Sequence, residues 1–253
     1  MTKTVAIITG ATGGIGREFV RELSKEALDE IWIIGRNEER LVEMKEQYGE
    51  RIIPICADLT NVQDMMSIQA FLTEEVQVSY LINNAGIAHM MPSKDFASDE
   101  IEKTIRLNCT VPVTLTNYCI PYMKSGSKII NVSSAAAFQP VPFINLYAAT
   151  KAFGHSYSRA LNVELKPLGI TVTAVSPSWV DTNMLLREVN GSKVKFHGMV
   201  SPAKVAEKAI KDAKRGKDVS ICSFYVKCQH LNVKLVPHKL VMRIWMRGIK
   251  KYL

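Results

Sequence analysis

Residues 5–16 read VAIITGATGGIG, an apolar run that breaks into a glycine-rich turn. We predict a buried strand over residues 5–9 and a helix over residues 15–28, directly after the turn. Glycines let the backbone of such a turn approach a pyrophosphate closely, and the helix N-terminus offers N–H donors to the anion. A tight strand-to-helix turn that binds nothing fits the same residues, so both interpretations stay open at this point.

Short apolar runs alternate with longer amphipathic ones through the rest of the chain. Further strands are predicted at 31–34, 52–56, 80–82, 128–132, 170–175 and 219–223, and further helices at 37–48, 62–73, 98 to beyond 111, 146–165 and from 201. Strands rich in Val and Ile that alternate with helices are typical of a parallel sheet covered on both faces. We therefore predict an α/β fold, a Rossmann-type doubly wound parallel sheet flanked by helices, in a single domain over residues 1–253.

The overall composition narrows the class of protein. Hydrophobic residues make up 47% of the chain and charged residues 22%, which is typical of a folded globular domain and not of a disordered one. No apolar run is long enough to span a bilayer or to form a signal core, so we expect a cytoplasmic protein. The five cysteines form no close pair, which indicates reduced thiols and no metal site.

The net charge of +8 is concentrated at one end of the chain. Residues 1–192 contain 17 Lys/Arg against 21 Asp/Glu, whereas residues 193–253 contain 15 against 3. Residues 237–253 predict a basic amphipathic helix with Trp245 on its apolar side. Such a helix either makes peripheral contact with an anionic membrane surface or packs on its own domain or a neighbouring subunit. Nucleic-acid binding is not favoured, because the tail matches no nucleic-acid-binding module.

Polar and small residues follow the predicted strands where a dinucleotide would bind. Arg36 follows the second strand, where an acidic residue would bind ribose hydroxyls. A guanidinium suits a phosphate, so Arg36 favours NADP(H), with NAD(H) as the second choice, unless it is a surface arginine that caps the strand. Asp58 follows the third strand and can accept a hydrogen bond from adenine or serve as a turn residue. Residues 83–86, NNAG, let the backbone close on a ligand after the fourth strand.

Tyr147 and Lys151 stand four residues apart on a predicted helix and therefore share one of its faces. A nearby ammonium lowers the pKa of a phenol, so the pair can act as general acid and base for a carbonyl and an alcohol. Taken alone, such a pair is more often a solvated helix face. Ser134, after the preceding strand, can hydrogen-bond a substrate oxygen, and Asn108 can hold a water for proton relay.

The order of these motifs resembles the classical short-chain dehydrogenases/reductases over nearly the whole chain. The matching residues are TGATGGIG at 9–16, Asp58, NNAG at 83–86, Asn108, Ser134, Tyr147, Lys151 and Pro177. Tyr147 follows Ser134 by 13 residues, the usual spacing of that family, which selects Ser134 over Ser133. Ser178 and Ala137 stand where the family often has glycine, and neither departure removes a catalytic group.

The resemblance implies roles for the catalytic set. Tyr147 exchanges a proton with the substrate, and Lys151 lowers the tyrosine pKa and binds the nicotinamide ribose. Ser134 positions the substrate oxygen, and Asn108 maintains a water-linked proton path. The implied cofactor-binding residues are Gly10, Thr12, Gly13, Gly14, Ile15, Gly16, Arg36, Asn37, Asp58, Leu59, Asn84, Ala85, Gly86, Tyr147, Lys151, Pro177, Val180 and Thr182.

Residues 183–200 occupy the place of the family's mobile substrate lid. This segment contains the apolar residues Met184, Leu185, Leu186, Phe196 and Met199. A hinged apolar loop suits closure over an apolar substrate, and an ordinary packed loop fits the segment equally well.

Together these features predict an NADP(H)-dependent oxidoreductase that interconverts a carbonyl and a secondary alcohol on a mostly apolar small molecule. The resemblance also implies a homodimer or homotetramer. The alternative is a non-catalytic NADP-binding regulatory protein on the same fold. The complete set of Asn108, Ser134, Tyr147 and Lys151 favours the enzyme, because a regulator has no use for a proton donor.

Overall fold

The computed structural model describes residues 2–182, 185, 187–189, 192–194, 196 and 198–249. The strands are β1 (Lys3–Thr9), β2 (Glu30–Gly35), β3 (Ile52–Cys56), β4 (Val76–Asn83), β5 (Lys128–Val132), β6 (Thr171–Val175), β7 (Glu188–Val189), β8 (Ser192–Lys193) and β9 (Val219–Ser220). The helices are α1 (Gly14–Leu23), α2 (Glu38–Tyr48), α3 (Val62–Ala70), α4 (Ser98–Ile105), α5 (Val111–Cys119), α6 (Asn145–Leu165), α7 (Pro202–Lys214), α8 (Phe224–Leu235) and α9 (His238–Ile249).

Seven of the described strands form one parallel sheet in the order β3-β2-β1-β4-β5-β6-β9. The chain order reverses between β1 and β4, so the loops that leave these two strands diverge and open a crevice at their carboxyl ends. The short strands β7 and β8 form a separate antiparallel pair. The predicted Rossmann-type doubly wound sheet is confirmed.

Side chains of the sheet alternate between two buried helical layers. Val5 and Ile7 of β1 pack with residues of α3, α5 and α6. Ala6 and Ile8 pack with residues of α1 and α7. All four side chains are fully buried. Because both faces of the sheet are covered, its central strands need apolar residues at every position, which explains the continuous apolar runs in the sequence.

Several predicted boundaries are wrong. β4 begins at Val76 and not at residue 80, because polar Gln77 and Ser79 alternate with buried valines and interrupt the apolar run. The helix predicted over 15–28 ends at Leu23, and the strand predicted over 219–223 covers only Val219–Ser220. Helix α8 is not predicted, because its apolar residues form no single stripe. Val226 and Val233 are buried, whereas Phe224, Leu231 and Leu235 are exposed.

One π-helical turn, Arg106–Thr110, joins α4 to α5 and contains Asn108. The predicted helix from 98 to beyond 111 therefore has the expected extent, with an irregularity that the sequence pattern does not reveal. A π-turn inserts one extra residue and changes the direction of the side chains around it, which is typical of functional positions.

The C-terminal helices α8 and α9 fold back over the carboxyl edge of the sheet. Val226, Val233 and Ile249 are buried, and the indole Nε1 of Trp245 donates a hydrogen bond of 3.0 Å to the Pro142 carbonyl. The described part of the basic tail thus packs on its own domain, one of the interpretations that the sequence left open. Residues 250–253 of the predicted tail helix lie outside the described residues.

Gly16, at the start of α1, has no room for a side chain. A Cβ there would lie 2.1 Å from the Gly10 carbonyl oxygen and 2.9 Å from Cα of Ala11. We expect Gly16→Ala to lower the free energy of unfolding by about 2 kcal/mol or more, because the turn and α1 must move apart. Urea or thermal unfolding measures this change.

Gly154→Ala is the matched control, since a Cβ at this position of α6 would meet no described atom within 4 Å. The same change in a helix interior should leave stability unchanged or raise it by up to about 1 kcal/mol. Equal stability of the two variants would contradict the packing described for the turn.

Candidate active site

A cleft of about 1940 Å³ opens above the carboxyl ends of β1 and β4. The glycine-rich turn and the end of β2 line one end of it. The end of β5 and the first turns of α6 line the middle, and α8 and α9 line the far end. Residues 177–182 also line the cleft, with Thr182 beside Gly14 of the turn. The cleft therefore lies at the reversal point of the sheet, where this fold binds its ligands.

Asn84 ties the glycine-rich turn to the neighbouring strand. Its Nδ2 donates to the carbonyls of Thr9 and Gly10, both at 3.0 Å. The Thr9 hydroxyl oxygen accepts in return the backbone N–H groups of Asn84 and Ala85, each at 3.0 Å. Gly10 has a φ of +62°, which favours glycine. These bonds fix the turn beside β4.

The N-terminus of α1 points into the cleft above this turn. Gly13 is the N-cap residue and supplies no side-chain cap, so the first N–H groups of α1 keep their capacity to bind an anion. A Cβ on Gly14 would lie 2.4 Å from Cγ2 of Thr182, so the glycine lets residues 177–182 approach the turn. The backbone donors and the small residues fit a diphosphate group.

Two arginines and a carboxylate line the end of the cleft beside β2. Arg36 and Arg40 are exposed and line it together with Asp58. Burial alone would raise the pKa of Asp58, but hydrogen bonds from Thr60 and the charges of Arg36 and Lys103 lower it below its ordinary value. Asp58 is therefore an ionised acceptor at neutral pH, and the two guanidiniums suit a phosphate.

Two of the residues predicted to bind the cofactor, Asn37 and Gly16, do not line the cleft. Asn37 Oδ1 accepts the backbone N–H of Arg40 at 2.8 Å and caps α2. Gly16 packs beneath the turn against the Gly10 carbonyl. Both residues position their neighbours.

The two serines at the end of β5 have different surroundings. Ser133 is buried, and its hydroxyl donates to the Lys151 carbonyl at 2.8 Å, which pins α6 to the strand. Ser134 lines the cleft, and its hydroxyl oxygen accepts the Ala136 N–H at 3.1 Å. Both serines line the cleft, but the Ser133 hydroxyl is committed to the Lys151 carbonyl, which leaves Ser134 as the serine that the motif spacing selects for the substrate.

Tyr147 and Lys151 lie side by side in the cleft. The Lys151 Nζ is 5.6 Å from the centroid of the Tyr147 ring and donates to the Val132 carbonyl at 2.8 Å. Gly86 makes room for this ammonium, since a Cβ there would lie 3.2 Å from it. The predicted pair is therefore part of the cleft and not a solvated helix face.

Burial dominates the protonation of both groups. It lowers the pKa of Lys151 to about 8, against a smaller opposing effect of the Cys109 thiol. It raises the pKa of the Tyr147 phenol above its ordinary value, and a hydrogen bond with Ser134 only partly opposes this. In the free protein this burial outweighs the effect that the resemblance assigns to Lys151, so the net pKa shift of the phenol is upward. The phenol is consequently protonated at neutral pH.

Asn108 is buried behind the cleft and does not line it. Its side-chain oxygen accepts the Ile87 N–H at 2.9 Å, and its Nδ2 donates to the Ile87 carbonyl at 2.9 Å and to Thr150 Oγ1 at 3.0 Å. These bonds join the π-turn to α6 and to the segment after β4. The side chain is thus engaged with protein groups, which differs from the expectation that it holds a water.

Apolar side chains line the far end of the cleft: Val141, Phe143, Trp179, Phe196, Trp245 and Ile249. The Trp179 ring lies 5.1 Å from the Phe196 ring and 6.5 Å from the Trp245 ring. Within the predicted lid, Leu185 and Phe196 line the cleft, whereas Asn183, Met184, Leu186 and Gly191 lie outside the described residues. This end of the cleft suits an apolar ligand.

The cleft contains further residues that the motifs do not indicate. Arg40 escapes prediction because it lies in α2, beyond the strand end. Gln139 lines the far end of the cleft, and its buried Oε1 has no hydrogen-bond partner among the described residues. The remaining cofactor-binding residues predicted from the sequence all line the cleft.

The described residues contain no group of three or more His, Cys, Asp or Glu side chains that could hold a metal ion. Among the helices that the structure describes, none is long and apolar enough to cross a membrane.

Comparisons with known proteins agree with this geometry. Residues 4–193 match the family model described as short chain dehydrogenase. The chain is 37% identical over 190 residues to a very-long-chain 3-oxoacyl-CoA reductase of Anas platyrhynchos, a match that covers 71% of this chain and 60% of that protein. The chain thus spans about 60% of the length of several curated relatives that it matches.

Solved structures match nearly the whole chain. A short-chain dehydrogenase from Sphingobium yanoikuyae in complex with NADPH is 27% identical, covers 94% of this chain and 95% of its own, and has a TM-score of 0.79. A bulky-bulky ketone specific alcohol dehydrogenase from Comamonas testosteroni is 25% identical, with coverages of 94% and 93% and a TM-score of 0.75. With its glycine-rich turn, its Ser134, Tyr147 and Lys151 cluster and its match to the family model, the chain belongs to the short-chain dehydrogenase family.

Proposed function

We propose that the protein is an NADP(H)-dependent oxidoreductase that interconverts a carbonyl and a secondary alcohol on a mostly apolar small molecule. The observation that carries this proposal is the meeting of Ser134, Tyr147 and Lys151 in one cleft with a glycine-rich diphosphate cradle. Its relatives support it, since they include a ketone-specific alcohol dehydrogenase, a very-long-chain 3-oxoacyl-CoA reductase and a short-chain dehydrogenase in complex with NADPH.

The cofactor would lie along the cleft, held by the chain's own groups. Gly13, Gly14 and the N-terminus of α1 would bind the diphosphate, and Arg36 with Arg40 would pair with the 2′-phosphate. Lys151 would hold the nicotinamide ribose. When bound, NADP(H) supplies or accepts the hydride.

The chain's own residues transfer the proton that the reaction requires. Tyr147, protonated at neutral pH because burial raises its pKa, donates its proton to the carbonyl oxygen during reduction. Ser134 positions that oxygen by a hydrogen bond. The Lys151 ammonium stabilises the phenolate that proton donation leaves behind. Asn108 holds the π-turn against α6, which positions the helix that carries Tyr147 and Lys151, and so serves any proton path indirectly. Oxidation of an alcohol needs the phenolate and is favoured at higher pH.

A non-catalytic NADP-binding regulatory protein is the second candidate. The buried setting of Lys151 and Tyr147 favours the enzyme. Burying an amine and a phenol beside each other is costly, and cofactor binding alone does not require the phenol.

The proposal includes a lid over the far end of the cleft. Residues 183–200 would close over the apolar substrate, since Leu185 and Phe196 line the cleft.

The protein would act in the cytoplasm as a homodimer or homotetramer, with peripheral contact to a membrane. Ile105, Phe153 and Val163 are exposed apolar residues on α4 and α6 that suit a self-complementary interface. Light scattering of the purified protein measures its mass, and a single-chain mass would contradict the oligomer.

Removing the phenol tests the mechanism. We expect Tyr147→Phe and Ser134→Ala each to reduce kcat for NADPH-dependent ketone reduction at least about a hundredfold. The first variant loses the proton donor, and the second loses the hydroxyl that positions the carbonyl oxygen. A ketone panel with NADPH oxidation as the readout measures it. Ser133→Ala is the control. It should lower the free energy of unfolding, because the bond to the Lys151 carbonyl is lost, and should largely keep kcat. Turnover by Tyr147→Phe at the wild-type rate would contradict the mechanism.

The pH profile tests the role of Lys151. As pH rises through about 8, its ammonium loses a proton, and kcat/KM for ketone reduction should fall because the phenolate then lacks a counter-charge. In Lys151→Arg, which stays charged, the remaining activity should show no step near this pH. An unchanged step in the variant would assign the titration to another group.

Cofactor preference tests the arginines. Arg36→Asp should weaken NADPH binding relative to NADH at least about tenfold, because a phosphate partner is replaced by a like charge. Fluorescence titration with both cofactors measures the two Kd values. Lys166→Asp, exposed at the opposite edge of the sheet, is the charge-matched control. An unchanged ratio in Arg36→Asp would remove Arg36 from this role.

A further inference from the structure

The helices α8 and α9 have an inner and an outer surface with different surroundings. Val233 of α8 and Val241, Trp245 and Ile249 of α9 line the cleft. The same two helices also carry exposed apolar residues, which we call the outer face: Phe224 (80% exposed), Leu231 (59%), Leu235 (74%), Leu240 (48%) and Ile244 (60%). These five side chains lie on two consecutive helices, and nothing else in the described chain covers them.

Basic side chains are interleaved with the outer face. Lys227, Lys234, Lys239, Arg243 and Arg247 are all exposed, and none of them forms an ion pair with a described residue. Residues 219–253 contain no Asp or Glu. The outer face is therefore apolar and cationic at once.

An anionic bilayer surface fits this face better than a second copy of the chain. In a two-fold dimer the same patch would meet itself and place like charges against one another. At an anionic membrane the basic side chains are attracted to the lipid headgroups, and the apolar side chains enter the interface. The surface therefore has a partner that satisfies both of its properties.

The outer face is continuous with the mouth of the cleft. Ile244 belongs to both, since it is largely exposed and also lines the cleft. A ligand dissolved in the bilayer would thus reach the apolar end of the cleft without crossing water.

We propose that the outer face of α8 and α9 docks on an anionic membrane, so that ketones or alcohols dissolved in the bilayer enter the cleft directly. The substrate part of this proposal rests on the proposed oxidoreductase function, whereas the docking part is independent of it. It assigns a lipid-soluble carbonyl compound as the substrate class.

Vesicle flotation tests the docking. The full-length protein is mixed with vesicles of phosphatidylcholine, with and without phosphatidylglycerol, at low and high salt. Binding should require phosphatidylglycerol and weaken at high salt. In Leu231→Glu/Leu235→Glu, whose residues do not line the cleft, binding should fall at least about tenfold.

The matched control is Val62→Glu/Met66→Glu, which adds the same charges at exposed positions of α3 (51% and 61% exposed). It should bind vesicles as the wild type does. Absence of wild-type flotation, or equal flotation of the wild type and the α8 variant, would overturn the proposal. So would a change of mass in light scattering of the α8 variant alone, which would make the outer face an interface between copies.

Activity separates the two parts of the proposal. With NADPH, kcat/KM of the α8 variant should fall at least about tenfold for a long-chain ketone dissolved in anionic vesicles. Its kcat/KM for a short water-soluble ketone should equal that of the wild type. Equal loss on both ketones would overturn direct entry from the bilayer. Inactivity of the wild type on every ketone would refute the proposed function, while flotation would still decide the docking.

Discussion

The bonds between Thr9 and Asn84 are the constraint on which the site depends. They join the carboxyl ends of β1 and β4 at the point where the strand order reverses. The loops that leave these two strands diverge and open the crevice, and the bonds hold the first residues of one loop against those of the other. The glycine-rich turn then stands at a set height beside residues 84–86. The cofactor cradle and the proton-transfer residues are therefore parts of one rigid edge.

A second set of buried polar bonds carries this order across the sheet. Asn83 donates to Asn131 at 2.8 Å, and Asn131 donates to Ser158 of α6 at 2.8 Å. Ser133 adds its bond to the Lys151 carbonyl. The long helix is thus attached to β4 and β5 near the residues that face the cleft. Buried hydrogen-bonded side chains fix a helix more specifically than apolar packing does, because a shifted register would leave them unpaired.

Burial gives the site its chemistry as well as its position. The same low-polarity surroundings lower the pKa of Lys151 and raise that of Tyr147, so each group favours its neutral form more than in water. A protonated phenol is prepared to donate, and the ammonium a few ångströms away stabilises the product of that donation. The apolar end of the cleft, roofed by α8 and α9, extends the same environment toward the substrate.

The sequence predicts those features that depend on local pattern. Strand and helix order follows from apolar periodicity, and the spacing from Ser134 to Tyr147 selects Ser134 over Ser133. Features that depend on tertiary contacts are not predictable in this way. The π-turn at Asn108 reflects its bonds to Ile87 and Thr150, which lie far away in the chain. The upward pKa shift of Tyr147 depends on its burial in the folded protein. Helix α8 lacks a single apolar stripe because its two sides have different neighbours.

The most direct test of the account follows the hydride itself. The protein is incubated with NADPH that carries deuterium at both transferable positions of the nicotinamide and with a hydrophobic ketone, and the alcohol is analysed by mass spectrometry. The account predicts an alcohol with one deuterium on the carbinol carbon. Formation of no alcohol from any ketone tested, or of alcohol without deuterium, would contradict it.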